Sequence, residues 1–187
     1  GISDSDFVPG FPFHQLPLID KKIIVEDQIS SPPFGSLLCV DESEIIRVHK
    51  TSGTTGLPFL IALTKNDIAD SLISAKRAFI AAGMTRTDRV IHCLNFNMWS
   101  GGVSDYLGIE SVGATSIPYG IANTSQLIRT ISQLNINSIS CTPSYMFAIL
   151  TRIREEFSFS PVDLGLKKGF FGGEGLLQDK EVRDKIC

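Results

Sequence analysis

No charge sign dominates this 187-residue chain: 17 Lys and Arg stand against 20 Asp and Glu, a formal net charge of −3. A nucleic-acid surface needs a clustered basic footprint, so that class of partner is set aside. No apolar run approaches the roughly 20 residues of a membrane helix. The first residues show no secretory pattern of positive charge followed by an apolar stretch. Cysteine is sparse. Cys39, Cys93, Cys141 and Cys187 form no C-x-x-C pair, which leaves zinc and thioredoxin-like chemistry without local support. The expectation is reduced thiols in a cytoplasmic protein, with Cys93 and Cys141 in core strands. His14, His49 and His92 are scattered, with no second ligand at a useful spacing, so a structural role is expected for each. Repeats and low-complexity tracts are also missing from the sequence.

What remains is a globular composition, 43% hydrophobic and 20% charged, long enough for one domain with a full core and a lead-in. The most informative stretch is Thr51-Ser52-Gly53-Thr54-Thr55-Gly56-Leu57-Pro58, with four hydroxyl side chains and two glycines in eight positions. Glycine permits positive φ and lets backbone N–H groups turn toward one point. Ser and Thr add hydroxyl donors that rotate onto anionic oxygens. The pattern suits a phosphate or pyrophosphate group, although the same residues also build plain turns. It is not a Walker A loop, because Leu57-Pro58 follows Gly56 where that motif needs Lys-Ser/Thr. Its flanks, residues 45–49 and 59–63, both read as strands, so the loop is expected to join two strands.

Residues 1–44 are rich in Pro, Asp and Ser and read as an extended lead-in arm. From Glu44 onward strands and helices alternate. Thr64 with Asp67 forms a capping-box variant for a helix that Gly83 stops. Residues 89–94 read as a strand, 95–102 as a loop, and a helix follows to about Val112. A strand at 114–118, a helix capped by Thr124 or Ser125, a strand at 136–142, a helix at 144–157 and a strand at 168–171 complete the pattern. Such alternation implies right-handed βαβ crossovers and an α/β fold whose sheet is largely parallel, with helices on both faces. Ligands on such sheets sit beyond the carboxyl ends of the strands. Residues 95–102, 141–145 and 172–175, each directly after an expected strand, are therefore the candidate site loops to be considered together.

Four segments in this order resemble the adenylate-forming (AMP-binding) ligase superfamily, in its phenylacetate–CoA ligase and coenzyme F390 synthetase branch. They are Arg47-Val48-His49-Lys50 running into the hydroxyl-glycine loop, Trp99-Ser100-Gly101-Gly102, Thr142-Pro143-Ser144-Tyr145-Met146, and Phe171-Gly172-Gly173-Glu174. The lead-in, with Phe11-Pro12-Phe13, Leu16-Pro17-Leu18 and Lys21, resembles that branch's approach segment. The resemblance implies that residues 45–187 are part of an AMP-binding N-terminal domain. It implies a carboxylic acid, ATP, Mg²⁺ and coenzyme A as partners: the acid is adenylated with release of pyrophosphate, then transferred to the CoA thiol. Carried over residue by residue, Thr51, Ser52, Gly53, Thr54, Thr55 and Gly56 would hold ATP phosphates. Gly172, Gly173 and Glu174 would line the adenine and acyl pocket, and Phe96, Trp99, Gly101 and Tyr145 the acyl pocket, most simply for an aryl acid such as phenylacetate. A homodimer is compatible with the branch.

Each assignment has a structural alternative. Glu174 could cap the final helix, Gly172 and Gly173 could be a strand-to-helix turn, and Trp99 with Phe96 and Met98 could be core packing. Where the branch commonly reads Gly-Ala-Glu-Pro, this chain has Gly172-Gly173-Glu174-Gly175. The family's Tyr-Gly-x-x-Glu segment, ribose-binding aspartate and lysine-bearing C-terminal domain are not in these 187 residues. The expectation is therefore a fragment with little ligase activity alone. The alternatives are an F390 synthetase-like nucleotidyltransferase, an enzyme that acylates a carrier protein, and a non-catalytic nucleotide- or acid-binding module.

Overall fold

A computed structural model describes residues 12, 14, 16, 18–51 and 58–186. Ser52, Gly53, Thr54, Thr55 and Gly56 of the hydroxyl-glycine loop lie outside the described residues, as do residues 1–11 of the lead-in. The lead-in is not extended throughout. Lys21–Ser30 forms helix α1, capped by the Asp20 carboxylate, which accepts from Ile23 N–H at 2.9 Å. The Gln28 side chain then brackets the backbone of Leu60: its Oε1 accepts from Leu60 N–H and its Nε2 donates to Leu60 O, both at 2.9 Å. An amide side chain so placed does the work of a neighbouring strand.

Strands β1 (Ile45–Lys50) and β2 (Leu60–Thr64) pair antiparallel in a sheet of their own. Thr51 and Phe59 close the segment between them. Thr51 N–H donates to Phe59 O, and Phe59 N–H donates to Thr51 Oγ1, each at 3.1 Å. Helix α2 (Lys65–Ala81) starts on the expected capping box of Thr64 and Asp67. Beyond it β3 (Arg89–His92), α3 (Ser100–Val112), β4 (Thr115–Pro118), α4 (Thr124–Gln133), β5 (Ser138–Cys141), α5 (Pro143–Glu156) and β6 (Lys168–Phe171) alternate, and α6 (Lys180–Ile186) follows. The four strands form one parallel sheet in the order β4-β3-β5-β6.

Period-two alternation sends neighbouring strand residues to opposite faces. Ile91, Cys93, Ile139 and Cys141 join Leu127, Ile128 and Ile131 of α4 and Ile149 and Ile153 of α5 in one core. Val90 and Phe170 join Ile109 of α3 and Phe79 of α2 in the other. Helices thus cover both faces, as the sequence pattern implied. The α2–α3 contact is close because Gly108 has no side chain: a Cβ there would sit 2.8 Å from the Ala75 methyl.

Most boundaries shift by one or two residues from the sequence expectation, the strands expected at 89–94 and 136–142 being shorter, and two of the differences bear on the site. Helix α4 is capped by Asn123, whose Oδ1 accepts from Gln126 N–H at 2.9 Å, not by Thr124 or Ser125. Helix α3 begins at Ser100 and absorbs the end of the expected loop.

At the amino ends of the strands, buried Asp88 gathers four donors. Its Oδ2 accepts from Thr85 N–H at 2.7 Å, Thr85 Oγ1 at 3.1 Å and Lys168 Nζ at 2.7 Å. Its Oδ1 accepts from Asn137 Nδ2 at 3.3 Å. Burial pushes the Asp88 carboxyl up, but the Lys168 and Thr85 bonds outweigh it and hold it below its ordinary value. Asp88→Ala strands these donors and should destabilise the fold by about 2–3 kcal/mol, less than a fully buried pair because Lys168 reaches water. Urea unfolding of the variant against the parent measures this, and an unchanged midpoint would refute it.

Candidate functional site

The segments that follow β3, β4 and β5 enclose a cavity of about 410 Å³ lined by Cys93, Leu94, Asn95, Trp99, Ile121, Thr142, Ser144, Tyr145 and Ala148. Apolar and aromatic walls dominate, and Asn95, Thr142 and Ser144 supply the polar groups. Size and lining match a pocket for a small organic ligand. Trp99 and the 142–145 turn line the cavity, and Gly173 lies beside Trp99 and Thr142, outside the lining itself.

The loop after β3 is folded tightly by glycine. A Cβ on Gly102 would overlap the Asn95 carbonyl oxygen, and one on Gly101 would sit 2.7 Å from the Trp99 ring. Trp99 is half-buried and also reaches Gly173, where a Cβ would be 3.4 Å from the ring. Gly173 has φ 83°, a conformation that favours glycine. Trp99 and Tyr145 therefore line the cavity, while Gly101 and Gly173 make room for the indole. Phe96 stands apart from the cavity lining and packs edge-on against His92 and Tyr106.

Helix α5 starts at the cavity. Thr142 caps it, its Oγ1 accepting from Tyr145 N–H at 3.2 Å. Glu174 takes the neighbouring donors: Oε2 accepts from Ser144 N–H at 3.1 Å and Oε1 from Ser144 Oγ at 2.6 Å. Glu174 thus caps α5 rather than the final helix. A negative charge already sits at this positive helix end, so Glu174 must exchange partners to serve a ligand. Thr51, at the other edge of the site residues, is committed in part as well, since its hydroxyl oxygen accepts from Phe59 N–H.

The floor of the site is buried and polar in a few places only. Burial pushes the Cys93 thiol far up, with Cys141 acting in the same direction, and pushes Cys141 up to about 12. Neither is a nucleophile at neutral pH. The Tyr145 hydroxyl is buried without a hydrogen-bond partner among the described residues. Burial raises its pKa, with the nearby Thr124 side chain acting the other way. Among the described residues no three His, Cys, Asp or Glu side chains gather as a metal site.

His92, which the sequence left as a scattered histidine, holds this end of the sheet. It is fully buried at the end of β3. Its Nε2 lies 2.8 Å from Gly102 O, a pure acceptor, so Nε2 carries the proton. Nδ1 then accepts from Ser140 Oγ of β5 at 3.1 Å. Burial holds its pKa below the ordinary value, with the Gly102 carbonyl opposing. Asp105, half-buried one turn further along α3, is pushed by burial up to about 6.

The parallel sheet with helices on both faces is of the doubly wound kind, and its pocket lies at the carboxyl ends of the strands, where ligands of such folds sit. The AMP-binding enzyme family matches residues 23–181, and the chain belongs to that family of adenylate-forming enzymes. It is 33% identical over 142 residues to the phenylacetate–coenzyme A ligase of Pseudomonas putida, covering 76% of this chain and 32% of that one. It is 34% identical over 175 residues to the phenylacetate–coenzyme A ligase of Thermus thermophilus, covering 93% of this chain and 37% of that one. The crystal structure of 2-hydroxyisobutyryl-CoA ligase in the postadenylation state with 2-HIB-AMP superposes with a TM-score of 0.84 at 29% identity, over 91% of this chain and 36% of that one. The chain thus spans about a third of the length of these relatives.

Two predictions follow from the site geometry. Gly102→Ala must move the Asn95 backbone and should cost about 1–3 kcal/mol, whereas Gly172→Ala meets nothing within 4 Å and should be near neutral. Chemical denaturation of the pair checks the contrast. The second concerns pH. His92 is depressed when folded, so its contribution falls as pH drops below the unfolded histidine value near 6.5. Asp105 is raised when folded, so its contribution is full below 3.8 and is lost as pH rises through about 6. The two oppose each other between pH 4 and 6.5. Asp105→Asn should therefore be more stable than the parent at pH 7 and lose stability more steeply on acidification. Thermal melts across that range decide it.

Proposed function

We propose that this chain is the acid-recognising part of an ATP-dependent acid–CoA ligase acting on a small aryl acid of the phenylacetate type. The observation that carries the proposal is the cavity walled by Trp99, Tyr145, Ile121 and Leu94, with its few polar groups, at the carboxyl ends of a parallel sheet. An aromatic ring fits against such walls. The names of the relatives support the same chemistry. In this reaction a carboxylate oxygen of the acid attacks the α-phosphorus of ATP, and the bond to pyrophosphate breaks. The CoA thiolate then attacks the acyl carbonyl and AMP leaves. Charge spreads over phosphoryl oxygens as the first bond forms, and fixed donors stabilise it there. Ser52, Gly53, Thr54, Thr55 and Gly56 are the donors we assign to that task, with Thr51 anchoring the base of their loop. Mg²⁺ bound with ATP would neutralise further phosphate charge. Gly172, Gly173 and Glu174 border the acid at the β6 end.

The test is turnover by the longest native form of the protein that contains this chain, with ATP, CoA and a panel of aryl and short aliphatic acids. AMP release matched by acyl-CoA formation is expected, with aryl acids preferred. AMP retained on a second substrate would mean nucleotidyl transfer. Acylation of a carrier protein would mean a different thiol. Binding of ATP or acid without turnover would mean a non-catalytic module. In the same protein, Ser52→Ala with Thr54→Ala should weaken ATP binding. Each lost hydrogen bond to a charged oxygen costs roughly 1.5–3 kcal/mol, so titration calorimetry should register at least a hundredfold loss. Unchanged ATP affinity would remove the loop from the phosphate site.

A further inference from the structure

Nδ1 of His49 lies 3.2 Å from the carbonyl oxygen of Met98. A carbonyl only accepts, so Nδ1 carries the proton and donates. The amide of the next residue, Lys50, donates to the same oxygen at 2.9 Å. Two consecutive residues at the end of β1 therefore hold one carbonyl in the loop after β3. His49 is 2% exposed, and its Nε2 has no partner among the described residues. Burying an imidazole with one bare nitrogen is unfavourable compared with an apolar side chain. The bond made by Nδ1 is the compensation visible at this position.

The carbonyl so held belongs to a strained residue. Met98 has φ 56°, a left-handed backbone that a bulky residue adopts only when its surroundings impose it. Its side chain is 46% exposed, so packing of that side chain does not impose it. The next residue is Trp99, which lines the cavity and packs on Gly101 and Gly173.

We propose that His49 is a positioning residue for the acid pocket: through the Met98 carbonyl it fixes the turn that aims Trp99 into the cavity. It touches neither acid nor nucleotide. It makes the shape of the acid pocket depend on the hairpin that carries the hydroxyl-glycine segment. The inference rests on the acid–CoA ligase function proposed above.

Three variants separate the two nitrogens. His49→Ala removes both. In His49→Asn the amide nitrogen falls near the position of Nδ1. In His49→Gln it falls near Nε2. In the 187-residue chain Trp99 is the only tryptophan, so its emission reports the pocket without any turnover. The Ala and Gln variants should shift Trp99 emission to the red and increase acrylamide quenching, and Asn should restore the parent spectrum. In the longest native form, Ala and Gln should raise the KM for the preferred acid about tenfold, the worth of one hydrogen bond, with the KM for ATP within about twofold. Asn should restore it. Unchanged Trp99 emission in a folded His49→Ala chain, or Gln rescuing as well as Asn, would overturn the proposal. Should His49→Ala fail to fold, the Asn and Gln pair still decides. The expected Trp99 shifts in a protein that activates no acid would sink the ligase function and leave the His49–Met98–Trp99 link standing.

Discussion

His92 has no contact with water and two polar partners, and the upper end of the sheet is organised around that fact. A neutral imidazole has one donor and one acceptor, and both are satisfied here, by Gly102 O and by the Ser140 hydroxyl. The ring thereby joins β3 to the first turn of α3, ten residues on, and to β5, 48 residues on. Gly102 can approach only because it lacks a Cβ. The close approach brings the preceding residues, Trp99 to Gly101, over the ends of the strands. Remove the ring and the donor–acceptor arithmetic at a buried point fails on both sides, at a cost comparable to a sizeable part of a domain's net stability.

The opposite end of the sheet is held by charge. Asp88, Lys168, Asn137 and Thr85 connect β3, β6, the approach to β5 and the α2–β3 turn. Polar groups thus fasten the sheet at its two rims, and between them lie the isoleucines and leucines of the two cores. This division follows from the topology. In a parallel sheet both faces are covered by helices, so only the strand ends are free to carry polar chemistry. The amino ends use theirs for stability. The carboxyl ends leave room for a ligand.

Local signals made much of this fold readable in the sequence. The Thr64–Asp67 capping box needs residues three apart and nothing else, and it formed where expected. The βαβ alternation likewise rests on short-range periodicity. Failures occurred where the deciding contact was distant or where several residues competed. Asn123, Thr124 and Ser125 can all cap, and backbone geometry chose the first. Helix α1 buries none of its residues fully. Its apolar pattern was therefore weak, and its hold on Leu60 comes through one amide side chain 32 residues away. Glu174 bonds Ser144 across 30 residues, and His49 and His92 meet their partners across 49 and 48. A scattered histidine is unreadable in sequence because its partner lies on a distant element that only the tertiary fold brings near. The three-loop site was legible in outline: Trp99, Tyr145 and Gly173 converge, whereas Phe96 belongs to the aromatic cluster beneath.

The hairpin poses a separate problem. It forms its own two-stranded sheet and shares no ladder with the four parallel strands, yet a reaction between acid and ATP needs both held in one frame. Misplacement by about 1 Å can cost a hundredfold in rate. Two-stranded antiparallel pairs are marginal on their own, so their position must be imposed from outside. The described contacts do this from two sides. Gln28 of α1 pins β2 next to the point where Thr51 and Phe59 close the loop. His49 and Lys50 pin the end of β1 to Met98. Each brace sits within a few residues of the hydroxyl-glycine segment, and the second ends on the residue before Trp99. Physical continuity from that segment to the wall of the acid pocket therefore runs through two hydrogen bonds to a single carbonyl, with no direct contact between the two sheets required.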